Sequence, residues 1–124
     1  MAAVLMFNIS DAGKVNLLQV LSIRLNFACI TVPPDRQSCR IRDLLDGKKA
    51  AGSGGRGFRD EMLVMDGFSH PDLNFLLNEL IRTGNTIRLK AVATPTNLGW
   101  TAAALHAQLL AEERQMSGGR GNRP

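Results

Sequence analysis

The chain has 124 residues, enough for one domain and too few for two independent cores. Hydrophobic residues make up 44% and charged residues 21%, an ordinary globular balance, but five Phe, one Trp and no Tyr leave the core to Leu, Ile, Val, Met and Ala. The net charge of +4 is unevenly placed: residues 36–59 carry seven basic against two acidic side chains, and the tail from Arg114 adds Arg120 and Arg123, so the rest of the chain is mildly acidic.

The opening MAAVLMFNISD lacks a basic flank, and Asp11 closes its short apolar run, so it reads as a strand and not as a leader. No stretch approaches the length of a membrane span. Two cysteines, Cys29 and Cys39, fit a reducing compartment better than a disulfide scaffold, and a cytoplasmic location is expected.

In chain order, residues 4–9 form a first strand buried on both faces. Ser10 or Asp11 can cap the following helix, in which Leu17, Leu18, Leu21 and Leu25 share one face, and Asn26 offers a left-handed stop. Residues 27–32 (FACITV) form a second strand, ended by Pro33 and Pro34. Ser38 is placed to cap a short helix through Ile41, Leu44 and Leu45, which Gly47 closes. Residues 48–60 (KKAAGSGGRGFRD) read as a flexible loop inside the domain, since ordering its glycines is costly and its side chains bury little.

A third strand covers 62–65. Ser69, Pro71 and Asp72 then make a helix start, and Leu73, Leu76, Leu77, Leu80 and Ile81 form an apolar stripe that Gly84 stops. Residues 86–92 alternate apolar and charged, as an edge strand does. The turn 94–97 leads to a last helix from Trp100 or Thr101 to about Met116, with a disordered Arg/Gly tail at 117–124. Strands alternating with helices predict one α/β domain over 1–116, with helices on both faces of a mostly parallel sheet in the order 2-1-3-4. A mixed sheet, with one strand reversed through the glycine loop, is the alternative.

Most motifs fail on context. Residues 52–57 spell G-x-G-x-x-G but lead into a strand, where no helix end meets a pyrophosphate. GGRG at 54–57 and 118–121 is a weak nucleic-acid signal, so contact through the basic loop and tail is a remote alternative. No Cys/His spacing suits zinc, no nucleophile elbow is present, and no metal, cofactor or catalytic residue is expected. Cys39, at a helix start, is the more reactive thiol candidate; His106 falls on a helix surface, and Asp60, Glu61, Glu112 and Glu113 read as solvated.

What remains is topological. Ligands of open parallel sheets sit beyond the strands' carboxyl ends, where strand order reverses. In the expected order Asn8, Ser10 and Asp11 follow the first strand, Asp66, Gly67 and Ser69 the third, and Thr94, Thr96, Asn97 and Trp100 the fourth. The candidate ligand-binding residues are therefore Asn8, Asp11, Asp66, Thr94, Thr96, Asn97 and Trp100, with helix capping as the competing explanation.

EMLVM at 61–65 followed by Gly67-Phe68-Ser69, then Leu89-Lys90-Ala91-Val92-Ala93-Thr94-Pro95-Thr96-Asn97 and Trp100-Thr101, resembles a small bacterial family catalogued as a domain of unknown function. The resemblance covers 61–112 and is loose before 60. It implies a bacterial cytoplasmic origin and a compact α/β domain, and groups Lys90, Thr94, Pro95, Thr96, Asn97 and Trp100 as one local unit. It supplies no activity. The expected function is a non-enzymatic binding or regulatory module that meets a protein partner or a small anionic ligand at the sheet's carboxyl edge. The rival is an enzyme at the same edge with Asp11 or Asp66 as base and Lys90 or the helix amides holding an anion.

Overall fold

Asn8 ends the first strand by turning left-handed, with φ of 60°, a conformation asparagine tolerates better than most residues. The computed structural model describes residues 2–47 and 57–122, with side chains to Gln115. In chain order it holds β1 (Ala2–Phe7), α1 (Ala12–Leu25), β2 (Phe27–Val32), a 3-10 turn (Pro34–Arg36), α2 (Ile41–Leu45), β3 (Met62–Asp66), α3 (His70–Arg82), β4 (Leu89–Val92), a second 3-10 turn (Asn97–Gly99) and α4 (Ala102–Asn122).

The four strands form one sheet in the order β2-β1-β3-β4, as the burial pattern predicts. β1 pairs parallel with β2 and β3 with β4, but β1 and β3 run antiparallel, with Leu5 opposite Val64 and Ala3 opposite Asp66. The mixed sheet is therefore the one realised. The reason lies in the connections. α1, with 14 residues, spans about 21 Å, enough to return the chain along a six-residue strand of about 20 Å. α2 has five residues, about 8 Å, and does not carry the chain back, so β3 starts at the end where β2 stopped.

Side chains of the two central strands alternate between two cores. Val4, Met6, Leu63 and Met65 meet Leu18 and Leu21 of α1 and Leu76 and Leu80 of α3. Leu5, Phe7, Met62 and Val64 meet Ile41 and Leu44 of α2 and Ala102 and Leu105 of α4. Full burial of each such side chain stabilises by about 1.5–3 kcal/mol. The runs were apolar throughout because both faces are covered.

The element order strand, helix, strand, 3-10 turn, helix occurs twice. The antiparallel β1–β3 pair relates the halves by an approximate two-fold, and the bridge between Arg40 and Thr101, just ahead of α2 and α4, joins equivalent points. Around it Ile41 N–H donates to Trp100 O at 2.9 Å and Ala102 N–H to Cys39 O at 2.9 Å.

Several local expectations change. Arg40, not Ser38, occupies the cap of α2 and makes no side-chain cap bond. Ile81, assigned to the buried stripe of α3, is 65% exposed, because Leu76 and Leu80 already fill the contact with the sheet. Cys39 is buried in the core, which removes it as a reactive thiol. α4 continues to Asn122, past the expected end near Met116; Gly118, Gly119 and Gly121 each cost a helix about 1 kcal/mol, so nothing in the sequence signals that extension.

Candidate functional site

Antiparallel pairing of β1 and β3 divides the expected site. Asn8 and Asp11 follow β1 at one end of the sheet. Asp66 sits beside Ala3 at the other, about 17 Å from Asn8 along the strand, and β4, parallel to β3, delivers Thr94, Thr96, Asn97 and Trp100 to that second end. The common rim of seven residues does not exist. Asp11 is the N-cap of α1, accepting from Lys14 N–H at 3.1 Å, at the opposite end from Asp66, so the two carboxylates share no site.

At the first end, Asn8 is held by structure. Its Nδ2 donates to Phe58 O at 2.8 Å and Asp60 O at 3.0 Å, while its Oδ1 accepts from Gln37 Nε2 at 3.1 Å. Gln37, 1% exposed, accepts Phe58 N–H on its Oε1 at 2.7 Å. Phe58 packs against Phe7 and lies flat on His106, ring centroids 4.1 Å apart and planes 7° from parallel. Residues 57–60, expected in the flexible loop, are thus pinned; 48–56 lie outside the described residues.

His106 is not on a free helix surface. Its Nε2 is 2.8 Å from Asp60 Oδ2, and Asp60 Oδ1 accepts from Arg88 at 3.3 Å. Arg88 also grips Glu113 with two nitrogens, tying the approach to β4 onto α4. Lys14 pairs with Glu61 at 2.5 Å. Among the described residues no hydroxyl or thiol side chain is bonded to His106 beside the Asp60 carboxylate. Nor do the described residues contain a group of three metal-ligating side chains.

The Arg88 guanidinium, by its hydrogen bonds and then its charge, holds the Glu113 carboxyl below its ordinary value. A carboxyl lowered on folding contributes stability that is present above its unfolded pKa, about 4.3 for glutamate, and is lost as pH falls through the lower folded value. Both groups are solvent-exposed, so the contribution is small. Glu113→Gln is expected to leave stability near pH 7 little changed and to make the acid side of the stability–pH curve shallower, as read by urea unfolding from pH 7 down to pH 3.

At the second end, the turn after β4 builds itself from Thr94 and Asn97. Asn97 Oδ1 accepts Thr94 N–H at 2.8 Å, Asn97 N–H donates to Thr94 Oγ1 at 3.1 Å, and Asn97 Nδ2 donates to Val92 O at 3.1 Å. Asn97 is therefore buried and occupied. The 3-10 turn then sets Trp100 half-buried against the core. Together they wall a hollow of about 300 Å³, which also takes in Lys90, Gln108 and Glu112. Lys90 is exposed, and its ammonium donates to the Ile87 carbonyl. Of the seven expected residues, Thr94, Thr96, Asn97 and Trp100 are brought together here. Gln108 and Glu112, joined by a 3.2 Å bond from Gln108 Nε2, were not anticipated, because the β4 residues that line the hollow with them are remote in sequence.

Residues 61–116 match a known family model. It is described as a domain of unknown function (DUF3783), and it covers fewer than half of the 124 residues. The matched segment corresponds to the second half of the fold, β3 to α4, and contains the whole lining of this hollow. No curated protein and no solved structure matches the chain. No helix among the described residues is long and apolar enough to cross a membrane.

Proposed function

We propose that this chain is a non-enzymatic binding module whose docking place is the hollow beside α4. The observation that carries this reading is the convergence of Thr94, Thr96, Trp100, Gln108, Lys90 and Glu112 on one concavity. Its volume is at the small end of ligand sites. One cation and one carboxylate line it, so the expected anionic ligand gives way to a small zwitterion, such as a free amino acid, with the indole as an apolar wall.

Trp100 is the sole tryptophan, so its emission reports on this hollow alone. Titration with a panel of free amino acids is expected to shift or quench it saturably for a subset. Thr96→Ala and Gln108→Ala should each weaken that response about three- to tenfold, the loss of one hydrogen bond, without moving the melting temperature. A panel with no saturable response would end the small-molecule reading. A protein partner at the same rim is the second reading, favoured by Val92, 45% exposed on the outer strand β4. Nucleic-acid contact draws mainly on basic residues at 48–56 and in the tail, outside the described side chains, and gains no support from the hollow.

A further inference from the structure

The opposite end of the sheet carries a second concavity, of about 420 Å³, just beyond the carboxyl ends of β1 and β2. These strands are adjacent and parallel, and the chain leaves them on opposite sides: α1 packs on one face and α2 on the other. That divergence is what opens a crevice in parallel sheets. The sequence places this feature between β1 and β3; the structure places it between β1 and β2.

The lining has a consistent chemistry. Among the described residues Arg59 is the only charged one in it, and no carboxylate contributes. Among the described residues the Arg59 guanidinium and the Ser10 and Thr31 hydroxyls have no hydrogen-bond partner, and all three residues are exposed. The carboxylate next to Arg59 in the chain, Asp60, is turned to His106 and Arg88 and does not neutralise it. Pro33 and Pro34 supply a stiff apolar wall.

The two-fold relation sharpens the point. Three residues before the N-cap of each half's first helix stands Asn8 in one case and Asp66 in the other. A neutral amide, itself tied to Phe58 and Asp60, therefore occupies the end that also holds the unpartnered arginine. The equivalent position at the other end carries a carboxylate, which repels anions.

The geometry points to a binding site for a small organic phosphomonoester in this crevice, separate from the hollow beside α4. The guanidinium offers parallel donors to phosphate oxygens, Ser10 and Thr31 add hydroxyl donors, and the remaining volume and the proline wall take the organic body.

The test is isothermal titration calorimetry of the full chain with AMP and with ribose 5-phosphate, each against its dephosphorylated counterpart, adenosine or ribose. Saturable binding of at least one phosphate, absent for its counterpart, is expected; which of the two binds identifies the body. Arg59→Ala should weaken it at least about tenfold, the loss of one charge-assisted pair, and Ser10→Ala and Thr31→Val by smaller factors. Thr96→Ala and Gln108→Ala should leave it unchanged, so failure here is distinguishable from failure of the other hollow. Because Arg59 is exposed, its removal should leave the melting temperature in place. Equal affinity in Arg59→Ala, binding of each phosphate no tighter than that of its dephosphorylated counterpart, or no saturable heat with either phosphate would overturn the assignment.

Discussion

Replacing Gln37 by leucine will lower stability by about 3 kcal/mol, a drop of about 10 °C in melting temperature. Gln37 is 1% exposed, and its amide reinforces the junction between Asn8 and the 57–60 segment: it accepts Phe58 N–H and donates to Asn8 Oδ1. Leucine keeps the volume and removes both bonds. Phe58 N–H is then left facing apolar atoms, at about 1–3 kcal/mol, and Asn8 Oδ1 loses its donor. The damage should spread along the clamp, because Phe58 also carries the stack on His106 and the contact with Phe7. Thermal unfolding followed by circular dichroism measures the loss, and faster proteolysis near residue 58 would locate it. A leucine variant as stable as the parent would show that the clamp contributes nothing net. A Cβ on Gly57 would also meet Gln37 Oε1, so the approach of this segment to the glutamine requires glycine.

Replacing Asn97 by alanine should cost about 2 kcal/mol and abolish the proposed amino-acid response together. The side chain satisfies Thr94 N–H and Val92 C=O, both left without partners by alanine. Without it the turn from β4 into α4 loses its internal brace, and the Trp100 environment loosens, visible as a red shift in emission. The comparison with Thr96→Ala is what matters. Asn97 acts by shaping the hollow, so its loss moves stability and binding in step, whereas Thr96 faces the hollow and Gln108 makes only an exposed bond to Glu112 on the same helix. If Asn97→Ala abolished binding at unchanged melting temperature, the asparagine would be a direct ligand contact instead.

Much of this fold was legible in the chain. The glycine and proline stops bracketed the elements, Asp11 and Ser69 cap α1 and α3 by accepting Lys14 and Asp72 amides, and the strand order followed from which runs were apolar on both faces. Direction was the weak point. The pattern of a parallel strand and that of a doubly covered antiparallel strand are the same, so Met62–Met65 cannot announce which way it runs. Only the brevity of α2 hinted that the crossover was incomplete.

The site divided along the same line. Thr94, Thr96, Asn97 and Trp100 fall within seven residues, so the local turn chemistry assembled them and the sequence could group them. Asn8 with Gln37 and Phe58, Asp60 with His106, and Arg88 with Glu113 are separated by 25 to 50 positions. Their residue types read as caps, loops and solvated charge, because a polar side chain carries no periodic signal of its partner.

Sequence alone therefore determined the elements, their caps, the two-layered burial of the central strands and the Thr94–Trp100 turn, all of which depend on neighbours within a helical turn or a strand alternation. Tertiary structure decided that β1 and β3 oppose each other, that one rim becomes two separate concavities, and that Asn8 is a structural clamp. Those outcomes depend on where the chain is when it returns to the sheet, a property of connection length and long-range packing that no local pattern encodes.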